Sequence, residues 1–518
     1  MDARPTRRAT HRDILRLMRI TVALLLLFGH AVGSTAGAQV VPDSLRAPEP
    51  MREFRAVWVA TVRNMDWPSR ADLSPEEQRQ ELLAILDRAT QLNMNAIVFQ
   101  IRPEADALYA SPFEPWSRYL TGQQGKAPEP AWDPLEFAVE EAHKRGLELH
   151  AWFNPYRAAY RRDEPTARTH ISKRRPDLVV PYAQFLWMDP GIPEVRRIMV
   201  RTVLDVVRRY DIDGVHIDDY FYPYPETVAR QRLDFPDTRS FAAYQRQNGR
   251  LSRADWRRRN VDQLIRELYA AVKGQKMWVK VGISPFGIWR PGFPPSIHAG
   301  IDTYDELYAD SRKWLVDGSL DYIAPQLYWP VQPPEQSYPI ILQWWVEQNA
   351  KGRHIWPGLA LYKLPLTGPR RMTSQDIVRE IEITRDTPGA TGHIHFNAKV
   401  LMQNVDGIAD RLAEVYAEPA LIPASPWLDR SGPGRPIAAA ARDSSAGTVS
   451  VRFTPQARQV VTRWVIQARE NGNWATHLVA GAERRFDVSD EARVIDLVSV
   501  SAVDRNGNLS VPAVIRPR

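Results

Sequence analysis

"GVHIDDYFYPYP", residues 214–225, begins as a buried strand and runs into two adjacent aspartates and three tyrosines. Gly214-Val215-His216-Ile217 has the nearly continuous apolar character of a strand covered on both faces. A buried strand should not finish on two carboxylates, because an unpaired buried charge costs several kcal/mol or neutralises. The carboxyl end of a parallel strand is the place where such a pair belongs, since α/β barrels gather their chemistry there.

Similar runs recur on either side. "FRAVWVATV" (54–62), "NAIVFQIR" (95–102) and "LELHAWFNPY" (147–156) precede it; "WVKVGISPFGIW" (278–289), "DYIAPQLYW" (321–329), "HIWPGLALY" (354–362) and "GHIHFNAKV" (392–400) follow. Helical patterns separate them. Ser74-Pro75-Glu76-Glu77 reads as a capping box with Pro at the first helical position, ahead of Leu82, Leu83, Ile85 and Leu86. Asp133-Pro134 opens a second helix that Gly146 closes, and Asp189-Pro190 precedes a third. Residues 302–318 and 373–386 read as helices too. Eight strands alternating with helices predict a (β/α)8 TIM barrel over residues 52–416. An open doubly wound sheet is the alternative, but no G-x-G-x-x-G follows a strand to bind a dinucleotide.

Two polar loops, 103–132 and 157–188, interrupt the rhythm after the second and third strands, where loops shape a barrel's substrate site. Residues 417–437, rich in Pro, Ala, Gly and Ser, read as a linker that few contacts cross. Beyond it, residues 438–518 alternate short strands with turns such as Asn471-Gly472 and Asn506-Gly507, the pattern of a small all-β sandwich.

The amino-terminal 38 residues read as an export signal. Six Arg precede the apolar run "ITVALLLLF" (20–28), and Ala36-Gly37-Ala38 offers a cleavage site, leaving 39–51 as a lead-in. Those Arg against Asp2 and Asp13 give the leader a net +4, so the remaining chain holds about +3 of the total +7. That balance does not point to nucleic acid. The chain has no cysteine, hence no disulfide, thiolate metal site or lipid-bearing cysteine. The expectation is a periplasmic or secreted protein without a stable membrane anchor.

Polar and aromatic groups pile up at the strand ends: Trp58 on the first, Arg102 and Glu104 on the second, and His150, Trp152, Asn154 and Tyr156 on the third. His216, Asp218, Asp219 and Tyr220 end the fourth. Trp289, Gln326, Tyr328 and Asn397 complete the set from the fifth, sixth and eighth. Flat aromatics with Asn, Gln, His and Arg suit a polyhydroxylated substrate, whose rings stack and whose hydroxyls take hydrogen bonds. Asp218 also has a structural reading, capping amides or pairing with Arg102 or Arg157. There is neither a Gly-rich phosphate cradle nor a G-x-S-x-G elbow.

Five stretches carry a resemblance: "RAVWVATVRNMDWP", "FQIRPEADALYASPFEPWSRYLTGQQG", "GLELHAWFNPYR", "DGVHIDDYFYP" and "ISPFGIWR". Over about residues 52–415 the chain resembles the glycosyl hydrolase-like 10 family, exported bacterial (β/α)8 proteins that include a peptidoglycan hydrolase acting at division. The resemblance implies an O-glycoside hydrolase without a cofactor, acting on a polysaccharide such as peptidoglycan glycan strands. "VSAVDRNGNLS" resembles the last hairpin of fibronectin type III domains. "GVHID" is also similar to the fourth strand of amylase-like barrels, which makes Asp218 the nucleophile or cation stabiliser. Those barrels carry an acidic Glu on strand five, where this chain has Ser284-Pro285-Phe286-Gly287. The double aspartate resembles barrel hexosaminidases instead, in which one Asp orients the substrate's acetamido group and its neighbour is the acid. Glu104 is a further candidate acid. Two other readings stay open: a carbohydrate-binding barrel without turnover, and a metal-dependent hydrolase built on His150, His216, His393 and His395 with Asp218.

Overall fold

Three residues that each precede a strand show how the parallel sheet is pinned. Asn95 accepts the Arg55 amide at 2.9 Å, Asp213 the Leu149 amide at 2.9 Å and Asp321 the Val281 amide at 2.8 Å. Each side chain fixes the register of its strand against the preceding one. The chain, seen in a computed structural model, is described over residues 45–518 except 333, 444, 457 and 458. The expected export signal, and the lead-in before residue 45, lie outside the described residues. No helix among those described is long and apolar enough to cross a membrane.

The strands are β1 (Phe54–Val59), β2 (Ala96–Arg102), β3 (Glu148–Phe153), β4 (Gly214–Ile217) and β5 (Lys280–Ile283). β6 (Tyr322–Ile323), β7 (His354–Ile355), β8 (Gly358–Leu359) and β9 (Gly392–His395) follow. All nine form one curled parallel sheet in the order β7-β6-β5-β4-β3-β2-β1-β9-β8. Its two ends are one stretch of chain: β7 and β8 flank Trp356-Pro357, and Pro has no amide to give a ladder. On one side Trp356 N–H donates to Ile323 O; on the other Ile394 N–H donates to Pro357 O.

Helices wrap the sheet. α1 (Pro75–Gln91) starts with the expected Ser74–Glu77 capping box, and α2 (Pro134–Lys144) is capped by Asp133. α3 (Pro193–Arg209) begins later than Asp189-Pro190 suggests, because Asp189 accepts from Gly191 N–H and Ser240 Oγ instead. α4 (Arg253–Gln275), with Leu264, Ile265, Leu268 and Val272 buried, is the longest, and it packs on α3. The expected 302–318 helix is two pieces, Thr303–Glu306 and α5 (Ser311–Asp317). Asp302 and Asp310 each cap their own piece, and Tyr308 between them sits at φ 53°. α6 (Tyr338–Glu347), α7 (Ser374–Asp386) and α8 (Ile408–Val415) complete the layer.

Residues 437–515 form two small antiparallel sheets resembling a sandwich. β10 (Ile437–Asp443), β11 (Thr448–Thr454) and β14 (Arg485–Ser489) make one; β12 (Arg463–Glu470), β13 (Asn473–Ala480), β15 (Ile495–Val503) and β16 (Ala513–Ile515) make the other. Val449, Val451, Phe453, Trp464, Ile466 and Val500 fill the space between them.

The 417–437 stretch is not the loose tether its composition suggests. Leu421 bridges Arg52 and packs with Val465 and Val503. Ser425 shares a hydrogen bond with His354 at 3.1 Å, and Trp427 donates to Asp321 at 2.9 Å. Arg505 pairs with Asp211 at 2.6 Å. The amino ends of the parallel strands are thereby covered by the sandwich, and residues 47–518 form one unit.

Candidate active site

A cleft of about 370 Å³ opens at the carboxyl ends of the strands, as the residue pattern at 214–225 requires. Asp218 and Asp219 are on its floor, 7% and 4% exposed. Strict alternation would send them to opposite faces, but β4 ends at Ile217 and the chain turns, with Phe221 N–H donating to Asp219 O at 2.9 Å.

Asp218 is held by a relay from two other strands. Its Oδ2 accepts Asn154 Nδ2 at 3.0 Å, and its Oδ1 accepts the Asp219 amide at 2.9 Å. Asn154 Oδ1 in turn accepts Gln100 Nε2 at 2.6 Å, and Gln100 Oε1 accepts the Thr61 and Val62 amides, both at 2.8 Å. Every amide flip in this relay is set by its neighbour. Burial raises the Asp218 pKa, while Asn154 and the Asp219 amide favour its charged form. Asp219 is raised well above the carboxylate range by burial and then by the charge of Asp218; the Tyr224 hydroxyl, bonded to its Oδ2, pulls the other way. Of the two, Asp219 is pushed further toward its protonated form than Asp218.

Aromatic rings make the walls. Trp58, Trp152, Tyr220, Tyr328, Trp329, Phe286 and Tyr362 line the cleft, together with Gln326. Gly358 leaves room there: a Cβ would meet the Trp58 ring at 3.0 Å and Tyr328 at 3.2 Å. Gln326 is turned by its Nε2–H donating to Ser284 O at 3.0 Å.

Several expected site residues are placed elsewhere. His216 and His150 belong to a hydrogen-bonded file inside the curled sheet. Trp58 Nε1–H donates to His216 Nε2 (3.1 Å), His216 Nδ1 meets Tyr322 Oη (3.0 Å), Tyr322 meets His150 Nδ1 (2.9 Å), and His150 Nε2 meets Glu148 (3.0 Å). One tautomer of each ring satisfies the whole file, so these histidines are interior polar groups supporting Trp58. His216 is kept neutral by burial and by His150. His393 and His395 both bond Tyr416, and no three potential metal ligands come together among the described residues.

Arg102 is consumed by Glu114, at 2.6 Å, and by the Asn154 carbonyl, so it positions the relay rather than touching the cleft. Asn154 lies beneath Asp218. Tyr156 is fully buried away from the cleft, Trp289 stacks on Trp344, and Asn397 donates to Asp66 at 2.5 Å. Glu104 is fully buried, accepting from Tyr119 Oη at 3.0 Å and the Tyr160 amide at 2.7 Å, and it does not line the cleft. Burial and then Asp106 push it up to about 7.

The cleft also takes in Arg157, read in the sequence at the end of the third strand and as a partner for Asp218, and Tyr224, Tyr362 and Lys363, which strand-end reading passed over. Tyr224 was visible in the run of tyrosines after Asp219, and Tyr362 and Lys363 close the seventh apolar run.

The glycosyl hydrolase-like 10 family model matches residues 53–373. The chain is 40% identical over 445 residues to a glycosyl hydrolase of Bacillus subtilis, YngK, spanning 84% of each chain. It is 35% identical over 377 residues to glycosyl hydrolase DigH of Escherichia coli, covering 68% of this chain and 84% of that one. Among solved structures, the PgaB glycoside hydrolase domain of Bordetella bronchiseptica is similar at 14% identity and TM-score 0.45, over 71% of this chain and 99% of that one. The chain therefore belongs to the glycosyl hydrolase-like 10 family and is a glycoside hydrolase acting on O-glycosyl bonds.

Proposed function

We propose that the protein cleaves N-acetylated glycan strands, peptidoglycan above all, by an acetamido-assisted reaction at Asp218 and Asp219. The observation that carries this is the closeness of the two carboxyls, which are adjacent in sequence on the floor of one cleft, the Asp219 amide donating to Asp218 Oδ1 at 2.9 Å. Direct retaining and inverting glycosidases need their carboxyls about 5–5.5 Å or 6.5–9.5 Å apart, on opposite sides of the sugar. This pair reaches only one side. The substrate's own acetamido oxygen then supplies the nucleophile.

In this reading Asp218 accepts the acetamido N–H and keeps its carbonyl oxygen against the anomeric carbon. That oxygen bonds to C1 as the glycosidic bond breaks, and Asp219 gives its proton to the leaving oxygen. Water then attacks C1, the oxazolinium ring reopens, and the water's proton returns to Asp219. The aromatic walls exclude water and stack the ring. The sheet in this account is an eight-stranded barrel whose seventh strand is interrupted at Pro357. The sandwich is fibronectin type III-like and holds the barrel on an extracytoplasmic polymer.

Purified protein incubated with peptidoglycan glycans, with and without stem peptides, tests this. Glycan cleavage blocked by a thiazoline mimic of the cyclised acetamido group is the expected result. Cleavage that ignores the thiazoline, and is lost instead on Glu104→Gln, would place the acid at Glu104.

A further inference from the structure

Arg157 stands on the cleft wall with most of its donors idle. It opens the short strand Arg157–Ala159 and is 3% exposed. Its Nε–H donates to Pro103 O at 3.1 Å, and its guanidinium carbon lies 4.9 Å from the centre of the Tyr220 ring. Neither terminal nitrogen is hydrogen-bonded among the described residues, and neither is sealed from solvent. Asp218 and Glu104 feel its charge without forming an ion pair with it. The neighbouring cations are spent: Arg102 on Glu114, Arg118 on Glu164, and Lys363 on the Tyr328 carbonyl.

A guanidinium this buried, whose unbonded fork opens only to the cleft, is better satisfied by an acceptor on a ligand than by the little solvent that reaches it. The planar fork matches a carboxylate, and Asp218 nearby disfavours a ligand carrying more than one negative charge. We propose that Arg157 is a specificity-determining residue that receives a carboxylate borne by the sugar in the cleft, so that acidic glycans are cleaved in preference to neutral ones of the same backbone. The proposal rests on the glycan-cleaving role assigned to this cleft above. Two sugar classes carry such a group, a lactyl ether on an amino sugar and the C6 acid of a uronic acid.

The test changes the substrate as well as the protein. An N-acetylated glycan with free lactyl carboxylates is compared with the same glycan after carbodiimide coupling to ammonia, which keeps the shape and removes the charge. Amidation should lower wild-type kcat/KM at least tenfold, chiefly through KM. Arg157→Gln should lose a similar factor on the acid and nothing on the amide, and Arg157→Lys should recover part of it. Equal wild-type rates on acid and amide overturn the proposal while leaving glycan cleavage intact; no cleavage of either overturns both. Arg157→Gln slowing both substrates equally overturns it in favour of a role in positioning Asp218. If the variant does not fold, the wild-type comparison decides alone. A uronate-containing glycan cleaved with the same dependence on Arg157 assigns the uronate source, and cleavage of the lactyl glycan alone assigns the other.

Discussion

Asp218 and Asp219 share one buried environment but differ in their hydrogen bonds. Asn154 and a backbone amide favour the charged form of Asp218; burial and the neighbouring charge favour the protonated form of Asp219, the division on which the proposed reaction rests. Asp218→Asn is nearly isosteric but carries no negative charge to offset the developing positive charge, so kcat should fall by more than about a hundredfold in a folded protein. A wild-type rate in that variant would remove Asp218 from the mechanism. In the proposed reaction Asp219 is protonated and Asp218 ionised, so kcat/KM should fall on the acid side as Asp218 takes a proton and on the alkaline side as Asp219 loses one. Tyr224 stabilises the Asp219 anion through its hydroxyl. Tyr224→Phe should therefore move the alkaline limb to higher pH, read from a pH–rate profile; a limb that stays or moves down contradicts the assignment.

At the scale of elements, the curled sheet was legible because strands buried on both faces must be continuously apolar, and "FRAVWV" and "AIVFQI" are wholly buried. The Asp218–Asp219 pair was legible at the cleft because two adjacent carboxylates ending an apolar strand stand out, even though Asp218 alone could be read as an amide cap. Which strand polar residues face the cleft was not. His150 and His216 carry the same residue type as a site histidine, yet they lie one or two residues deeper, where the sheet interior makes its own hydrogen-bonded file. Arg102 and Arg157 differ in what the following loop brings: Glu114 reaches Arg102, and among the described residues no acceptor reaches the fork of Arg157. Long-range pairing of that kind leaves no periodic trace in sequence. The relay from Thr61 through Gln100 and Asn154 is the element-scale test of the site. Gln100→Leu frees the Asn154 amide to flip, so the acid limb of the pH–rate profile should move upward as Asp218 loses a donor. An unchanged acid limb would mean that Asn154 is held by something else.

Across the whole molecule, the sandwich closes the end of the sheet opposite the cleft. Cutting the chain near Pro423 strips Trp427 from Asp321 and uncovers Leu421, whose full burial is worth roughly 1.5–3 kcal/mol. The truncated protein should melt at a lower temperature or aggregate, and an unchanged melting temperature would show that the two units are independent. Ionisation adds a second whole-molecule signature. Burial pushes Asp66 up to about 7, and Glu104 likewise, with Asp189 up to about 6. Groups raised in the fold stabilise fully below their unfolded pKa of about 4, and that contribution is lost as pH rises through 6–7. Burial would raise Glu53 and Glu148 as well, but Arg385 holds the first at about 2 and Lys280 with His150 the second, so their contribution is lost only as pH falls toward 2. Thermal stability should peak at about pH 4–4.5 and decline from there to pH 8, and Glu104→Gln should flatten the alkaline decline. A melting temperature that climbs from pH 5.5 to 8 would contradict this balance.

The central claim is that the substrate's acetamido group, and not a second enzyme carboxylate, attacks the anomeric carbon. It is tested most directly by kcat/KM on a series of aryl glycosides whose N-acetyl group carries none, one, two or three fluorines. Fluorine weakens the carbonyl oxygen as a nucleophile while hardly changing its size. A steep fall along the series, exceeding about a hundredfold from acetyl to trifluoroacetyl, is the expected result. A flat series, with Asp218→Asn still inactive, would contradict it and make an enzyme carboxylate the nucleophile.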